Sequence, residues 1–371
     1  MNYRSEITVV GGGIIGCAVA YELARRGAAV AVVESRDVGA GATQASAGML
    51  APYIEAQHLS PLWTLGSRSL ELYDSFVTEV VRDSGCSVPY RRTGTLQVAV
   101  DDASFGRLEE AAERLSSAGV ECRLLTRSEA LVAEPNLGQN SRGALIVHPH
   151  GFVGAGALTT ALRHAGVKYG ARFMVSEEAS RILMRGGSMV VETAGRVVTS
   201  DAVVVATGCW TGRVRIEGAA VLPIRPVRGQ LLRLSWTEAL LERIVWGPSC
   251  YVVPWLDGSI LVGATVEEAG FDERATVSGV TNLLEAVCDL LPAAQDAGFD
   301  AVRVGLRPAT PDDLPAVGCS AELPDLVYAT GHFRNGVLLA PLTARLVAAL
   351  ILDGKHDPLL DVVAPSRFGE L

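Results

Sequence analysis

The segment ITVVGGGIIGCAVAYELARRGAAVAVVES, residues 7–35, constrains the fold of this chain more than any other stretch. It reads as an apolar strand, a glycine turn, an amphipathic helix and a second apolar strand. Strands that are apolar on both faces are typical of a buried parallel sheet, because helices cover both sides of such a sheet. The segment therefore predicts a β-α-β unit at the start of an α/β domain.

Gly11, Gly13 and Gly16 form a GxGxxG pattern between the first strand and the helix. The first glycine permits a tight turn, the second lets the backbone approach a pyrophosphate at the positive end of the helix, and the third lets helix and strand pack closely. Glu34 ends the second strand, where its carboxylate can accept hydrogen bonds from both ribose hydroxyls. Because a carboxylate repels a 2′-phosphate, Glu34 followed by Ser35 favours NAD or FAD over NADP.

The order of the remaining strands indicates two interleaved domains, which agrees with a length of 371 residues. Buried parallel-type strands recur in DAVVVATG and LVYATG, whereas antiparallel-type strands lie between them, with Asp257-Gly258 marking a hairpin turn. We predict a mixed α/β (α+β) fold. One domain is expected to contain residues 1–85, 145–222 and 303–371, and the other residues 86–144 and 223–302.

The composition limits which binding partners and which cellular compartment are expected. A net charge of −9 without a basic run argues against nucleic acid. The seven cysteines include no CxxC pair, and the amino terminus has no signal-peptide pattern, so a cytoplasmic protein with reduced thiols is predicted. Pro341 and Arg345 interrupt the apolar run 337–352, so we expect no membrane span. His148 and His150 lack a completing ligand cluster, so no metal is predicted.

Six stretches carry a recognisable pattern: GGGIIG (11–16), ESRDVGAGATQASAGMLAP (34–52), DAVVVATG (201–208), SCYVVPWLDGSILVGAT (249–265), GLRPATPDDLPAVG (305–318) and GHFRNGVLLAP (331–341). Together they resemble the glycine oxidases, a branch of the D-amino-acid oxidase family of FAD flavoenzymes. The last three stretches are specific to that branch, and the resemblance runs from about residue 7 to residue 352. It implies an FAD-binding Rossmann-type domain interleaved with an antiparallel β-sheet substrate domain.

The resemblance implies FAD as the cofactor and indicates which residues surround it. The expected cofactor-binding residues are Gly11, Gly13, Ile14, Ile15, Gly16, Glu34, Ser35, Ala42, Thr43, Ala47, Gly48, Met49, Val175, Gly208, His332, Phe333, Arg334, Asn335, Gly336, Val337 and Leu338. Sarcosine oxidases attach their flavin through a cysteine near the position of GLRPATPDD. Residues 305–313 contain no cysteine, so we predict non-covalent FAD.

By the same resemblance, Arg307 and Arg334 touch the substrate, and Tyr251 aligns with an active-site tyrosine. Arg307 is our first choice for holding the substrate carboxylate, because a guanidinium offers two parallel donors. An internal ion pair of Arg307 with Asp312 or Asp313 is the competing interpretation. Tyr251 can instead be an ordinary core tyrosine. For Arg334 no acidic residue is near in sequence, which favours a role at the substrate.

The resemblance implies oxidation of a small amino acid at Cα, with hydride transfer to the flavin and release of oxoacid, ammonia and hydrogen peroxide. Met49 and Val266 are expected to line the substrate pocket, and Val266 replaces a methionine that is frequent in the family. Glycine, sarcosine and small D-amino acids remain open as substrates, as does a role in the thiazole branch of thiamine synthesis. Relatives imply a homotetramer. The alternatives are a dehydrogenase that uses another electron acceptor, a non-catalytic flavin-binding subunit and an NAD-dependent dehydrogenase.

Overall fold

The computed structural model describes residues 2–55, 60–219, 221–236, 241–255 and 257–369. Its α-helices are α1 Ile14–Arg25, α2 Pro52–Glu55, α3 Pro61–Ser84, α4 Asp102–Ser117, α5 Arg127–Ala133, α6 Ala155–Lys168, α7 Val277–Leu290, α8 Gly336–Asp353 and α9 Leu359–Val363. Short 3₁₀ turns lie at Ala42–Ala45, Gly208–Arg213, Pro292–Asp296 and Pro365–Phe368.

The strands alternate with these helices along the whole chain. They are β1 Asn2–Arg4, β2 Ile7–Val10, β3 Val30–Val33, β4 Met49–Leu50, β5 Tyr90–Arg91, β6 Thr95–Ala99, β7 Cys122–Thr126, β8 Gly143–Val147, β9 Gly151–Val153, β10 Arg172–Met174, β11 Ala179–Arg185, β12 Ser188–Thr193, β13 Val197–Ser200, β14 Ala202–Val205, β15 Arg215–Ile216, β16 Arg225–Ser235, β17 Ile244–Trp246, β18 Tyr251–Pro254, β19 Ser259–Gly263, β20 Gly298–Ala309, β21 Ala316–Cys319 and β22 Leu326–Thr330.

The first sheet is the parallel one that the apolar strands predict. Its order is β10-β3-β2-β14-β22-β21, and every pairing is parallel except that of β21 with β22. Val9 faces α1, α6 and α8, whereas Val10 faces the five-stranded sheet β1-β13-β12-β11-β15. Both side chains are buried, and each such burial contributes roughly 1.5–3 kcal/mol. Coverage of both faces explains why these strands are continuously apolar.

The second large sheet has eight strands in the order β20-β16-β19-β18-β17-β6-β8-β7. Its pairings are antiparallel apart from β17 with β6, and α7 packs on one face. Two predicted domain boundaries, after residues 144 and 302, fall inside β8 and β20. A division that keeps these strands whole moves both boundaries to strand ends, and the division itself stays a prediction.

A capping box fixes the start of helix α5. The Thr126 hydroxyl oxygen accepts from the backbone N–H of Glu129, and Glu129 Oε2 accepts from the backbone N–H of Thr126 at 2.9 Å. Strand β11 forms although Arg181 and Arg185 interrupt its apolar pattern, because its buried positions pack under the six-stranded sheet.

The start of α8 is held by α3 at a point where the helix lacks a backbone donor. Pro341 has no N–H, so the carbonyl of Val337 loses its partner within the helix. The hydroxyl of Tyr73 donates to that carbonyl, and the hydroxyl of Ser69 donates to the carbonyl of Leu338 at 2.6 Å. These bonds fix the amino-terminal end of α8 relative to α3.

Helix α8 is also the one described helix that is long and apolar enough to cross a membrane by length and composition. Its 18 residues have a mean hydropathy of 1.8, and 61% of them are buried inside the protein. The helix packs against α1 and α3. Burial of this kind is typical of a helix in the core of a fold.

Candidate active site

A long cavity runs from the carboxyl ends of the parallel strands to the eight-stranded sheet. Its empty space amounts to about 1860 Å³ when the open solvent at its mouth is counted. Most of the expected site residues line it, namely Gly11, Gly13, Ile14, Ile15, Glu34, Ser35, Ala42, Thr43, Ala47, Gly48, Met49, Gly208, Tyr251, Val266, Arg307, His332, Phe333, Arg334, Asn335, Gly336 and Val337.

The three glycines of the GxGxxG pattern, at the turn between β2 and α1, have different structural roles. Gly11 has a φ of 110°, and a Cβ there would overlap the carbonyl of Ala206. A Cβ at Gly16 would overlap the carbonyl of Gly11, so helix and strand approach as closely as predicted. A Cβ at Gly13 would meet only Thr43 Oγ1, at 3.6 Å. Gly13 therefore leaves open space on the cavity side of the α1 amino terminus.

The carboxylate of Glu34 is held in place at the end of β3. Its Oε2 accepts from the backbone N–H of Gly12 at 2.5 Å, and its Oε1 accepts from the N–H of Arg36 at 2.7 Å. The Ser35 hydroxyl donates to Oε1 at 3.2 Å. A carboxylate fixed in this way keeps further lone pairs for hydroxyl donors in the cavity.

The loop of small residues between β3 and β4 lies tightly between the two halves of the fold. Gly48 has a φ of 71°, and a Cβ there would overlap the carbonyl of Val153. A Cβ at Gly305 would lie 2.8 Å from the Cβ of Ala45. The loop backbone can approach a flat ring because no bulky side chain stands between them.

Three expected cofactor residues are not part of the cavity wall among the described residues. Gly16 acts in packing, and Leu338 is 2% exposed in the core around α1, α3 and α8. Val175 follows Met174, whose carbonyl accepts from the N–H of Glu34 at 2.9 Å. Val175 thus lies next to the end of β3 but outside the wall.

An aromatic and cationic group lies near Glu34, and it is not predicted from the sequence. Arg36, Trp210 and Arg213 all line the cavity. The guanidinium of Arg36 lies 4.6 Å from the Trp210 ring centroid, and that of Arg213 lies 3.7 Å from the ring of Phe271. Only the position of Arg36, directly after Glu34 and Ser35, gave a sequence signal for this group.

Arg307 lies on β20 as a cation without a carboxylate partner among the described residues. Its Nη1 donates to the carbonyl of Thr265 at 2.9 Å, and its guanidinium occupies the space that a Cβ at Gly229 would fill. Asp312 bonds Arg367 at 2.8 Å instead. The competing ion pair of Arg307 with Asp312 is therefore not formed, and the remaining donors of Arg307 are available to an anion.

Arg334 differs from Arg307, because it has an acidic partner. Its Nε lies 3.2 Å from Glu55 Oε2, and its Nη2 donates to Glu55 Oε1 at 3.2 Å. No acidic residue is near Arg334 in sequence, but Glu55, which is 279 residues away in sequence, is adjacent in space. Burial raises the pKa of Glu55, although Arg334 and Arg307 both act to lower it.

Tyr251 belongs both to the cavity wall and to a small apolar cluster. Its ring lies 5.5 Å from that of Trp246, and a Cβ at Gly263 would stand 2.6 Å from its hydroxyl oxygen. Burial raises the pKa of Tyr251 to about 12, so the hydroxyl stays protonated at neutral pH. No hydrogen-bond partner for it occurs within the described ranges. The hydroxyl can therefore donate to an anion held by Arg307.

Met49 and Val266 occupy different depths of the cavity. Met49 is half-buried and packs beside Tyr251 and Phe152. Val266 is 61% exposed and lies at the mouth. Its shorter side chain therefore changes the entrance more than the depth of the site.

Two buried histidines stay neutral next to the cavity. His332 lines the cavity with its Nε2 3.0 Å from Thr343 Oγ1, and His150 accepts from the backbone N–H of Tyr53 at 3.3 Å. Burial lowers the pKa of each to about 3. Neither belongs to a metal-binding cluster, and the described residues contain no group of three or more suitable side chains.

These histidines predict a loss of stability in acid. The unfolded chain binds a proton below about pH 6.5 and the folded chain does not, so stability falls from about pH 6.5 towards pH 3. Each histidine should cost about 2 kcal/mol between pH 7 and pH 5. Urea unfolding at the two pH values measures this, and His150→Gln should reduce the difference. The exposed His356→Gln is the control, and an equal reduction there would contradict the prediction.

Comparison with known proteins resolves the choice between NAD and FAD. A family model described as FAD dependent oxidoreductase (DAO) matches residues 6–350. The chain belongs to the DAO family of FAD-dependent oxidoreductases. The predicted fold class and the predicted dependence on FAD are confirmed by this match and by the solved structures described next.

Relatives within the family are similar along nearly the whole chain. A glycine oxidase from Geobacillus kaustophilus is 34% identical over 353 residues, which are 95% of this chain and 94% of the relative. Its crystal structure has a TM-score of 0.94 and covers 98% of this chain and 99% of its own. A bifunctional protein ThiO/ThiG from Nostoc sp. is 36% identical, and the match covers 98% of this chain but 55% of that protein.

A third relative is named for a larger amine. The crystal structure of an iminodiacetate oxidase from Chelativorans sp. BNC1 has a TM-score of 0.90 and 25% identity, covering 97% of this chain and 99% of its own. The fold thus accommodates members named for different amines.

The cavity fits an FAD by its own geometry. Open space at Gly13 suits a pyrophosphate at the amino terminus of α1, and the fixed carboxylate of Glu34 suits a ribose. The small residues 41–49 leave room for the flat ring beside β20. The amino-terminal end of α8, at Gly336, favours the negative charge of a reduced flavin.

Proposed function

We propose that this enzyme oxidises small amino acids, with glycine, sarcosine and small D-amino acids as the substrate class. The observation that carries the proposal is Arg307, a cation without a carboxylate partner among the described residues, beside the protonated hydroxyl of Tyr251 in the cavity that fits FAD. A substrate carboxylate would supply the missing anion. With oxygen and water, glycine or a small D-amino acid gives an oxoacid, ammonia and hydrogen peroxide, whereas sarcosine gives methylamine in place of ammonia.

Each residue contributes by binding and orientation. Two of the remaining donors of Arg307 hold the carboxylate, and the Tyr251 hydroxyl donates a third hydrogen bond. Held at its acid end, the substrate presents its Cα–H in one direction, which accounts for much of the rate that a protein can supply. When bound, FAD would supply an acceptor for the hydride, with its two electrons, that leaves the Cα–H bond as the Cα–N bond becomes an imine. No side chain of the site is needed as an electron acceptor.

We also propose non-covalent FAD, oxygen as the electron acceptor, a homotetramer and a cytoplasmic location. The cysteine in the cavity wall, Cys209, has its pKa raised to about 12 by burial, which makes its thiol a poor nucleophile. The similarity to a ThiO/ThiG protein supports a link to the thiazole part of thiamine synthesis. There the imine formed from glycine would be the useful product.

Anaerobic mixing tests the activity. Glycine, sarcosine or D-alanine should each bleach the oxidised flavin bands of the holoenzyme, at rates that rank the preferred amine. In air, one hydrogen peroxide should appear per amine consumed. Bleaching without peroxide would point to a dehydrogenase that uses another acceptor. Absence of bleaching with every amine would contradict the proposal and favour a flavin-binding subunit without turnover.

A further inference from the structure

The carboxylate of Glu55 is part of the substrate end of the cavity. Glu55 is the last residue of α2, lines the same cavity as Arg307 and contacts Arg334 through both oxygens at 3.2 Å. Its side chain is 10% exposed, whereas that of Arg334 is 36% exposed. The protein therefore provides its own anion for one of the two guanidinium groups.

The turn that carries Glu55 is anchored from behind. The Tyr53 backbone N–H donates to His150 Nε2, and the two rings stack with centroids 5.4 Å apart. The other ring nitrogen of His150 lies 3.2 Å from Thr95 Oγ1 on β6. Glu55 is thus positioned by the eight-stranded sheet, which limits how far it can withdraw from Arg334.

The charges of this end of the cavity leave one cation unmatched. Arg307 and Arg334 carry two positive charges, and Glu55 carries one negative charge. A substrate with one carboxylate completes the balance at Arg307. A second carboxylate would have to displace Glu55 from Arg334, leaving a buried carboxylate without its partner.

We propose that Glu55 excludes amines with a second carboxylate, and that removing its charge turns Arg334 into a receptor for the second acid group of an N-carboxymethyl amine. This inference rests on the proposed function, because it assumes that Arg307 holds the first carboxylate. It assigns Glu55 the selection of monocarboxylic over dicarboxylic amines. The selection acts through charge, since Glu55→Gln keeps nearly the same shape.

Equilibrium binding of two unreactive ligands to oxidised holoenzyme tests the inference. Methoxyacetate and diglycolate are the ether analogues of sarcosine and iminodiacetate, and they differ by one carboxylate. Their dissociation constants follow from the change in the flavin absorption spectrum. Glu55→Gln should shift the ratio of the two constants towards diglycolate by about tenfold or more, the usual effect of a gained charged hydrogen bond.

Three further variants make the result specific. Asp357→Asn removes a carboxylate in a similar two-oxygen pairing, with Arg68 at 3.1 and 3.0 Å, and should leave the ratio unchanged. Glu55→Gln combined with Arg334→Met should lose the shift. Glu55→Ala is a second neutral variant should Glu55→Gln fail to hold FAD. For Glu55→Ala we expect the ratio of the two dissociation constants to shift in the same direction.

An unchanged ratio in both neutral variants, with methoxyacetate still bound, overturns the inference and leaves the proposed function intact. Failure of the wild type to bind methoxyacetate and to be bleached by any of glycine, sarcosine and D-alanine overturns the proposed function, and the inference with it. A shift that persists after Arg334→Met also overturns the inference, because the gained carboxylate site would then not be Arg334.

Discussion

Arg307→Met should lower kcat/KM for glycine by roughly a hundredfold to a thousandfold. Removing one partner of a buried, hydrogen-bonded charge pair costs about 2–5 kcal/mol, because the substrate carboxylate would be left without its counter-charge. Tyr251 alone cannot replace two guanidinium donors. The measurement is the rate of anaerobic flavin bleaching as a function of glycine concentration, which separates weaker binding from slower reduction.

The same strand offers a matched control. Arg303 lies four residues before Arg307 on β20, donates to the carbonyl of Gln44 at 3.4 Å and is not part of the cavity wall among the described residues. Arg303→Met also removes one positive charge and should leave kcat/KM within about twofold. If both variants lose activity equally, net charge or strand stability explains the effect and carboxylate binding by Arg307 does not. Flavin content of each variant checks that FAD is still bound.

The nucleotide half of the fold could be predicted because its signals are local. The strand, the glycines and the helix of residues 7–35 are contiguous, and their apolar pattern alone implies a sheet that is covered on both faces. Gly11 and Gly16 behave as predicted, since a Cβ at either would overlap a backbone carbonyl. Local chemistry of this kind depends little on where the rest of the chain goes.

The substrate end could be predicted only in part, because its decisive contact joins distant segments. Glu55 and Arg334 are 279 residues apart, and neither stretch has a pattern that pairs them. Arg36 and Trp210 meet for the same reason, through the return of the chain to the six-stranded sheet. The family resemblance indicated Arg334 but not the carboxylate that neutralises it. Charge balance in a site is a property of the folded chain.

The sequence also could not predict how deeply each side chain lies in the cavity or in the core. Val266 was expected within the substrate pocket, and it is 61% exposed at the mouth. Leu338 was expected beside the cofactor, and it points into the core because α8 has already turned towards α3 there. Both lie in stretches that touch the cavity. A stretch can be assigned to a site by pattern, whereas the direction of each side chain depends on the helix or strand that carries it.

Gly13→Ala should weaken FAD binding without lowering the stability of the FAD-free protein. Gly13 has φ −70° and ψ −178°, which alanine can adopt, and its new Cβ would meet only Thr43 Oγ1 at 3.6 Å within the protein. The FAD-free protein should therefore melt at nearly the wild-type temperature. The methyl group would stand in the space assigned to the pyrophosphate. Overpacking there costs about 1–3 kcal/mol, which raises the FAD dissociation constant roughly tenfold to a hundredfold.

Variants at two other glycines are the controls for this experiment. Gly156→Ala lies in α6 with no atom within 4 Å of the added Cβ, so it should leave FAD affinity unchanged and raise the melting temperature slightly, because alanine is favoured over glycine in a helix. Gly16→Ala would overlap the carbonyl of Gly11 and should destabilise the protein even without FAD. Flavin fluorescence during titration gives the affinity, and thermal melting of the FAD-free protein gives the stability. If Gly13→Ala binds FAD as tightly as Gly156→Ala, the pyrophosphate does not lie against Gly13, and the assignment of the GxGxxG turn to FAD fails at its central residue.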